Sequence, residues 1–219
     1  KLVSVSLLMN ETNKKYLSSV FQIDEDKFRY CDNNIDSDSI LDKAEEPLEE
    51  DLKAWFSGDV FLTIGRLSPE KDQEKLIHAF LQLKKVNKNA KLVIIGDGPL
   101  RNYLAEIIQD LNLETSVFLA GQRSNPFPAL KACSCFVLSS NHEGQPIVLI
   151  EALILGKKIV ATDIGGNRGI LERFGGNLVD NSISGLFNGM LNYSSSPVLE
   201  FNSEDYKKSS TRQFMNVLI

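Results

Sequence analysis

The amino-acid sequence predicts an α/β protein built on a doubly wound parallel sheet of about six strands. From Val60 onward, short apolar runs recur that read as strands buried on both faces. Between them lie longer stretches with apolar residues at helical spacing, as crossover helices require. With 219 residues, 42% hydrophobic and 24% charged, the chain can bury one good core, or one core plus part of another.

Asp59 to Gly65 supplies the first strand. Asp72 to Lys88 follows as a helix whose buried stripe is Leu76, Ala79, Phe80 and Leu83, at i, i+3, i+4 and i+7. Lys91 to Gly96 is the second strand. Leu100 to Leu113 is amphipathic through Leu104, Ile107, Ile108 and Leu111, and Ser116 to Ala120 forms the third strand. Pro126 to Ala132 is a short helix, Cys133 to Leu138 the fourth strand, and Gln145 to Leu155 another helix. Lys158 to Thr162, Asn177 to Val179 and a closing helix at Ser182 to Tyr193 complete a Rossmann-like domain over residues 58–193.

Residues 1–57 do not join this rhythm. They hold a strand-like alternation at Leu2 to Leu8, a helix near Asn13 to Val20, a short strand at Lys27 to Cys31 and an acidic stretch from Asp36 to Asp51. The chain begins without methionine, one residue before that first strand, so a piece of something longer is expected. After Tyr193 the composition turns to Ser, Asn and Lys. Residues 194–219 therefore read as a surface segment and a C-terminal helix ending Phe214-Met215-Asn216-Val217-Leu218-Ile219.

A formal net charge of −5 and a pI near 5.2 argue against bulk binding of nucleic acid, so an anionic ligand would need local cations and helix ends. No apolar run approaches the roughly 20 residues of a membrane span, and the first residues lack a signal-peptide pattern. A cytosolic location is the default expectation. Three cysteines, Cys31, Cys133 and Cys135, have neither metal-ligand nor disulfide-framework spacing and read as buried thiols, the last two projecting from one strand face. With only His78 and His142, a zinc site of several histidines is unavailable.

The run Glu143-Gly144-Gln145-Pro146-Ile147-Val148-Leu149-Ile150-Glu151 sets two carboxylates eight residues apart across a loop-to-helix junction, with proline at the first helical position. There the free amides of Ile147 and Val148 can point at an anion. Glu151 would lie about one turn further in, roughly 5–8 Å along the axis, able to accept from hydroxyl groups, while Glu143 stays in the loop. Downstream run Ala152 to Asp163 and then Gly165-Gly166; far upstream stands Gly65-Arg66-Leu67-Ser68-Pro69-Glu70-Lys71, at the carboxyl edge of the sheet where such folds bind ligands.

In their order these motifs resemble the donor-binding half of the retaining GT-B glycosyltransferases of family 4, over roughly Val60 to Leu191. The resemblance implies half of a GT-B enzyme that moves a sugar from a nucleotide-diphosphate sugar, with UDP as the expected nucleotide. It implies that Arg66 and Lys71 contact the diphosphate, that Glu143 contacts the donor sugar and that Glu151 contacts ribose. Gly144, Gln145, Pro146, Ile147 and Val148 complete the donor loop. Gly65, together with Gly96 and Gly98 of Gly96-Asp97-Gly98-Pro99, would allow close approach of the ligand or of the facing domain. Gln122 and Arg123 would hold the nucleobase, through backbone groups. His142 either flanks the sugar or is a solvated histidine.

Asn33-Asn34-Ile35-Asp36 resembles the segment that closes the family's N-terminal domain, which makes residues 1–57 the remnant of an acceptor domain and its linker. The C-terminal helix would return toward that missing domain. Gly165-Gly166-Asn167-Arg168-Gly169 departs from the family pattern, since many relatives carry a glutamate near Gly169. That departure, Asn125-Pro126-Phe127-Pro128 and the Glu-Gly-Gln-Pro form of the site motif are similar to a subgroup acting in bacterial surface-polymer synthesis. The implied acceptor is a glycan or polyol phosphate, met at the inner face of the cell membrane through the missing domain.

No cofactor or metal is expected. Asp24-Glu25-Asp26 and Asp36-Ser37-Asp38 imitate a D-x-D manganese motif but precede the sheet in hydrophilic sequence. Two other functions compete. A donor-binding module would bind nucleotide sugar and transfer nothing, which is the expectation for this chain in isolation. A nicotinamide-dependent oxidoreductase would need G-x-G-x-x-G after the first strand, where Gly65-Arg66-Leu67-Ser68-Pro69 stands instead.

Overall fold

A computed structural model describes residues 6–8, 14–195 and 201–218 of the chain. The order of elements begins with β1 (Ser6–Leu8), α1 (Lys14–Phe21), β2 (Phe28–Tyr30), α2 (Ser37–Ala44) and α3 (Glu50–Lys53). It continues with β3 (Val60–Ile64), α4 (Gln73–Val86), β4 (Lys91–Ile95), α5 (Arg101–Asp110), β5 (Val117–Gly121) and α6 (Phe127–Ala132). Then follow β6 (Cys135–Leu138), α7 (Ile147–Ile154), β7 (Ile159–Thr162), α8 (Gly165–Phe174), β8 (Asn177–Val179), α9 (Ile183–Leu191) and α10 (Ser203–Leu218). The expected strand over residues 2–8 is seen at Ser6–Leu8, and its earlier residues lie outside the described ones.

Six strands form one sheet in the order β5-β4-β3-β6-β7-β8, every pair parallel. Each strand alternates between two apolar layers because successive side chains point to opposite faces. Val60, Leu62, Phe136 and Leu138 join one layer, covered by α2, α6, α7 and α8 through Ile40, Leu130, Leu149, Ile150 and Ile170. Phe61, Cys135 and Val137 join the other, covered by α4, α5 and α9. The stripe expected on α4 is there, with Leu76, Ala79, Phe80 and Leu83 all buried.

One reading needs correction, the shared strand face of Cys133 and Cys135, and two stretches that the sequence leaves unassigned are helical. The acidic stretch is one of them: α2 is capped by Asp36, whose side chain accepts from Ser39 N at 3.2 Å. Ile35, Ile40 and Leu52 of this region lie in the sheet's own core, and Arg123 and Lys131 pair with its carboxylates, Glu49 and Asp51 in one case and Glu45 in the other. The other is α8, which begins at the glycine pair Gly165-Gly166. Cys133 is not in a strand but ends α6, so it and Cys135 point into opposite layers.

N-terminal to this, β1 and β2 make a parallel pair of their own. The segment after β2 is held by α10: Tyr206 Oη donates to Asn33 O at 3.0 Å, and Gln213 Oε1 accepts from Asp32 N at 2.8 Å.

Candidate functional site

The strand order runs outward from β3 in one direction through β4 and β5, and in the other through β6, β7 and β8. The carboxyl ends of β3 and β6 thus flank the point where the winding reverses, which is where open α/β sheets form their ligand crevice. Gly65-Arg66 through Lys71 leaves β3 there, and Ser139 through Glu143 leaves β6.

Backbones must crowd at this edge. Gly96 lies in the left-handed half of backbone space at φ 141°, and a Cβ on it would sit 1.9 Å from Gly65 O. The resulting cleft, about 370 Å³, is lined by Gly65, Arg66, Gly96, Asp97, Gln122 and Arg123 among others. Gly98 follows, bracketed by its N–H to Asp97 Oδ1 at 2.7 Å and its carbonyl to Arg101 N at 3.1 Å. Arg66 is exposed, and its carbonyl accepts from Gln73 Nε2 at 2.9 Å, which fixes the backbone beneath it.

Lys71 carries the cleft toward β6. Its Cδ and Cε lie 3.7 Å from the position of a Cβ on Gly65, and its Nζ reaches Glu143 Oε1 at 2.5 Å. Glu143 also accepts from Ser140 Oγ at 2.6 Å, and Ser139 Oγ donates to Lys71 O at 2.8 Å. The two loops are tied again by Asn141 N to Glu70 O at 2.8 Å. Behind them, Thr162 Oγ1 donates to Ser140 O at 2.6 Å, and Asn167 Nδ2 donates to Thr162 O at 2.8 Å. Ser140, Thr162 and Asn167 support the loop and were not read from the sequence, because only the fold brings β6, β7 and α8 together.

Helix α7 begins with Pro146 as an extended cap rather than as the first helical residue, a shift of one position that leaves Ile147 and Val148 with the free first-turn amides. Ile147 is exposed and Pro146 buried. Gly144 is exposed beside Glu143, and the start of α8 presses on both: a Cβ on Gly166 would meet Glu143 O at 2.5 Å and Gly144 O at 2.6 Å. Only glycine permits that approach. Glu151, one turn into α7, is partly buried, and that burial raises its carboxyl above the ordinary 4.5. Among the described residues no hydrogen bond or ion pair offsets the cost.

One side chain of the expected donor loop is engaged elsewhere. Gln145 does not face the cleft with its side chain. Its Oε1 accepts from Asn33 N at 2.7 Å, and its Nε2 donates to Asp32 Oδ1 at 2.7 Å and Tyr30 Oη at 3.0 Å, because a buried carboxylate there demands donors. Arg123 lines the cleft, and its guanidinium is bound to Glu49, Asp51 and the carbonyl of Ala120, leaving its backbone groups as what Arg123 can offer a ligand. Among the described residues no three His, Cys, Asp or Glu side chains are grouped to hold a metal, and no helix is long and apolar enough to cross a membrane.

Known proteins match this chain in family and in fold. The family model described as "Glycosyl transferases group 1" matches residues 49–195. Uncharacterized glycosyltransferase MJ1059 of Methanocaldococcus jannaschii is 39% identical over 164 residues, covering 74% of this chain and 40% of that protein. The N-acetylgalactosamine-N,N'-diacetylbacillosaminyl-diphospho-undecaprenol 4-alpha-N-acetylgalactosaminyltransferase of Campylobacter jejuni is 37% identical over 163 residues, covering 74% of this chain and 42% of that protein. The chain thus spans about two fifths of the length of these relatives. In fold it is similar to a mutant of S. aureus TarM crystallised with Fondaparinux, alpha-GlcNAc-glycerol and UDP, with a TM-score of 0.76 at 21% identity over 98% of this chain and 43% of that one. A parallel six-stranded sheet of the GT-B type, a cleft at its winding reversal and a family match across two thirds of the residues lead to one conclusion: the chain belongs to the group 1 glycosyl transferases.

Proposed function

We propose that this chain is the nucleotide-sugar-binding half of a retaining glycosyltransferase of family 4, which transfers a sugar from a UDP-sugar to a glycan or polyol-phosphate acceptor in cell-surface polymer synthesis. The observation that carries the reading is the Lys71–Glu143 pair, laid over Gly65 so that it extends the cleft of Arg66, Gly96 and Gln122 toward α7. The acceptor class is supported by the relatives, one named for a diphospho-undecaprenol acceptor and one crystallised with UDP and alpha-GlcNAc-glycerol.

In this reading the nucleobase lies against the backbone of residues 121–123, and Glu151 accepts from the ribose hydroxyls. The diphosphate lies between Arg66, Lys71 and the first amides of α7, which meet the charge that grows as the donor bond breaks. No metal is required. Glu143, fixed by Lys71 and Ser140, faces the hydroxyls of the sugar. Transfer breaks the bond from the anomeric carbon to the phosphate oxygen and forms a bond to the acceptor oxygen on the same face. The acceptor proton passes to the departing phosphate. The acceptor and the facing wall belong to another part of the protein, at the membrane surface, so residues 1–219 alone bind donor without transferring it.

Calorimetric titration with UDP, GDP and UDP-sugars tests the reading. We expect UDP to bind, Arg66→Ala and Glu151→Ala each to weaken it about tenfold or more, and a chelator to leave this binding, and sugar transfer by the whole protein, unchanged. Failure of the whole protein to bind any nucleoside diphosphate would overturn it.

A further inference from the structure

Asp32 is nearly sealed from solvent, with a side-chain exposure of 1%, and four elements converge on it. Arg173, from the end of α8, grips it with both terminal nitrogens at 2.9 Å, and the Tyr30 hydroxyl donates to it. Gln213 of α10 bonds both its N–H and its carboxylate, at 2.8 and 3.3 Å. The fourth group is Gln145, whose amide makes the three bonds to Asn33, Asp32 and Tyr30 given above. One acceptor and two donors in one plane is what an amide offers. Glutamate in its place would lack both donors and face a second carboxylate.

Gln145 also stands two residues after Glu143 and one before the cap of α7. From the sheet side, the loop of Glu143 is held by Lys71, by Glu70 O and by the glycine surface of α8. Toward residues 30–33 its link, among the described residues, is Gln145. We propose that Gln145 is a positioning residue, which sets Glu143 and Gly144 against the cleft by fastening their loop to the Asp32 node, and so makes the sugar end of the site sensitive to where residues 30–33 sit. The consequence for turnover rests on the glycosyltransferase reading; the fastening itself does not.

Gln213 supplies the control, since it makes bonds to the same node from α10, away from the loop. The test compares Gln145→Met with Gln213→Met in the whole protein by amide hydrogen exchange, thermal melting and sugar transfer. We expect similar losses in melting temperature for the two variants. Exchange of the amides that flank the loop, Asn141 and Leu149, which donate to Glu70 O and Pro146 O, should speed up about tenfold or more in Gln145→Met only. For the same variant kcat should fall about 10- to 100-fold with the KM for UDP-sugar changed less than about threefold, because Glu143 and Gly144 face the sugar, while the diphosphate keeps Arg66 and the first turn of α7. Gln145→Asn, which keeps the amide one methylene short, should fall between and carries the test if the methionine variant does not fold. Exchange unchanged in Gln145→Met, or raised equally in both variants, overturns the proposal. Loop exchange that responds as expected in a protein that neither binds UDP nor transfers sugar would uphold the fastening and sink the glycosyltransferase reading.

Discussion

Glu151 sits in α7 with its charge partly desolvated, and the raised carboxyl records that cost. Since its folded-state value exceeds the ordinary 4.5, the folded chain holds this proton more tightly than the unfolded one. Charged Glu151 therefore costs stability above its folded value, and the cost fades as pH falls through that value toward 4.5. Glu151→Gln should melt higher than the parent at pH 8, with the gap closing toward pH 4.5, while UDP binding weakens. A residue that stabilises the fold when removed yet is needed for binding is a mark of a site. At Gly166 the opposite holds. Gly166→Ala would force its Cβ against the carbonyls of Glu143 and Gly144, and urea unfolding should register a loss of about 1–3 kcal/mol together with weaker nucleotide binding. The Glu143–Glu151 spacing was legible in sequence because both residues lie on one loop and helix. The partner of Gly166 was not, being over twenty residues away and made of backbone.

Among the elements, the strands and α4 could be read because a parallel sheet buried on both faces forces continuous apolar runs and its helices need a regular stripe. The helix α2 offers only Ile40, Leu41 and Ala44 against Asp38, Asp42 and Lys43, too weak a pattern to outweigh its acidic composition. Its docking is nonetheless hydrophobic, with Ile40 in the core and the Lys131–Glu45 pair at the rim, both partners largely exposed. Ile40→Ala should thus cost about 2–4 kcal/mol in denaturant unfolding, whereas Glu45→Gln should cost less than about 1 kcal/mol. Equal effects would mean that charge and not packing holds α2. For α8, two leading glycines are poor helix formers, and the signal that survived was Ile170, Leu171 and Phe174 behind them. Tertiary packing of those residues against the sheet supplies what propensity lacks.

Across the whole molecule, Asp32 ties the segment after β2 to the α7 loop, α8 and α10. Burial alone would raise its carboxyl, but the hydrogen bonds from Arg173, Tyr30 and Gln145 outweigh burial and hold it below the ordinary 3.8. A depressed carboxyl stabilises the fold fully above 3.8 and loses that contribution as pH falls through the folded value. Asp32→Asn should accordingly lower stability at pH 7 and flatten the acid limb of the melting curve; an unchanged acid limb would remove Asp32 from acid unfolding. No sequence pattern announces this node, because its members at 30, 32, 145, 173 and 213 share no period and meet only in the folded chain. The two neighbouring thiols in the sheet have a different use. Cys133 and Cys135 face opposite layers, and burial pushes the first to about 12 and the second higher, so neither supplies thiolate while its layer is closed. Alkylation followed by mass spectrometry would then time-stamp each side of the sheet separately, and the order in which the two sulfurs are tagged would tell whether the chain comes apart one leaf at a time or all at once.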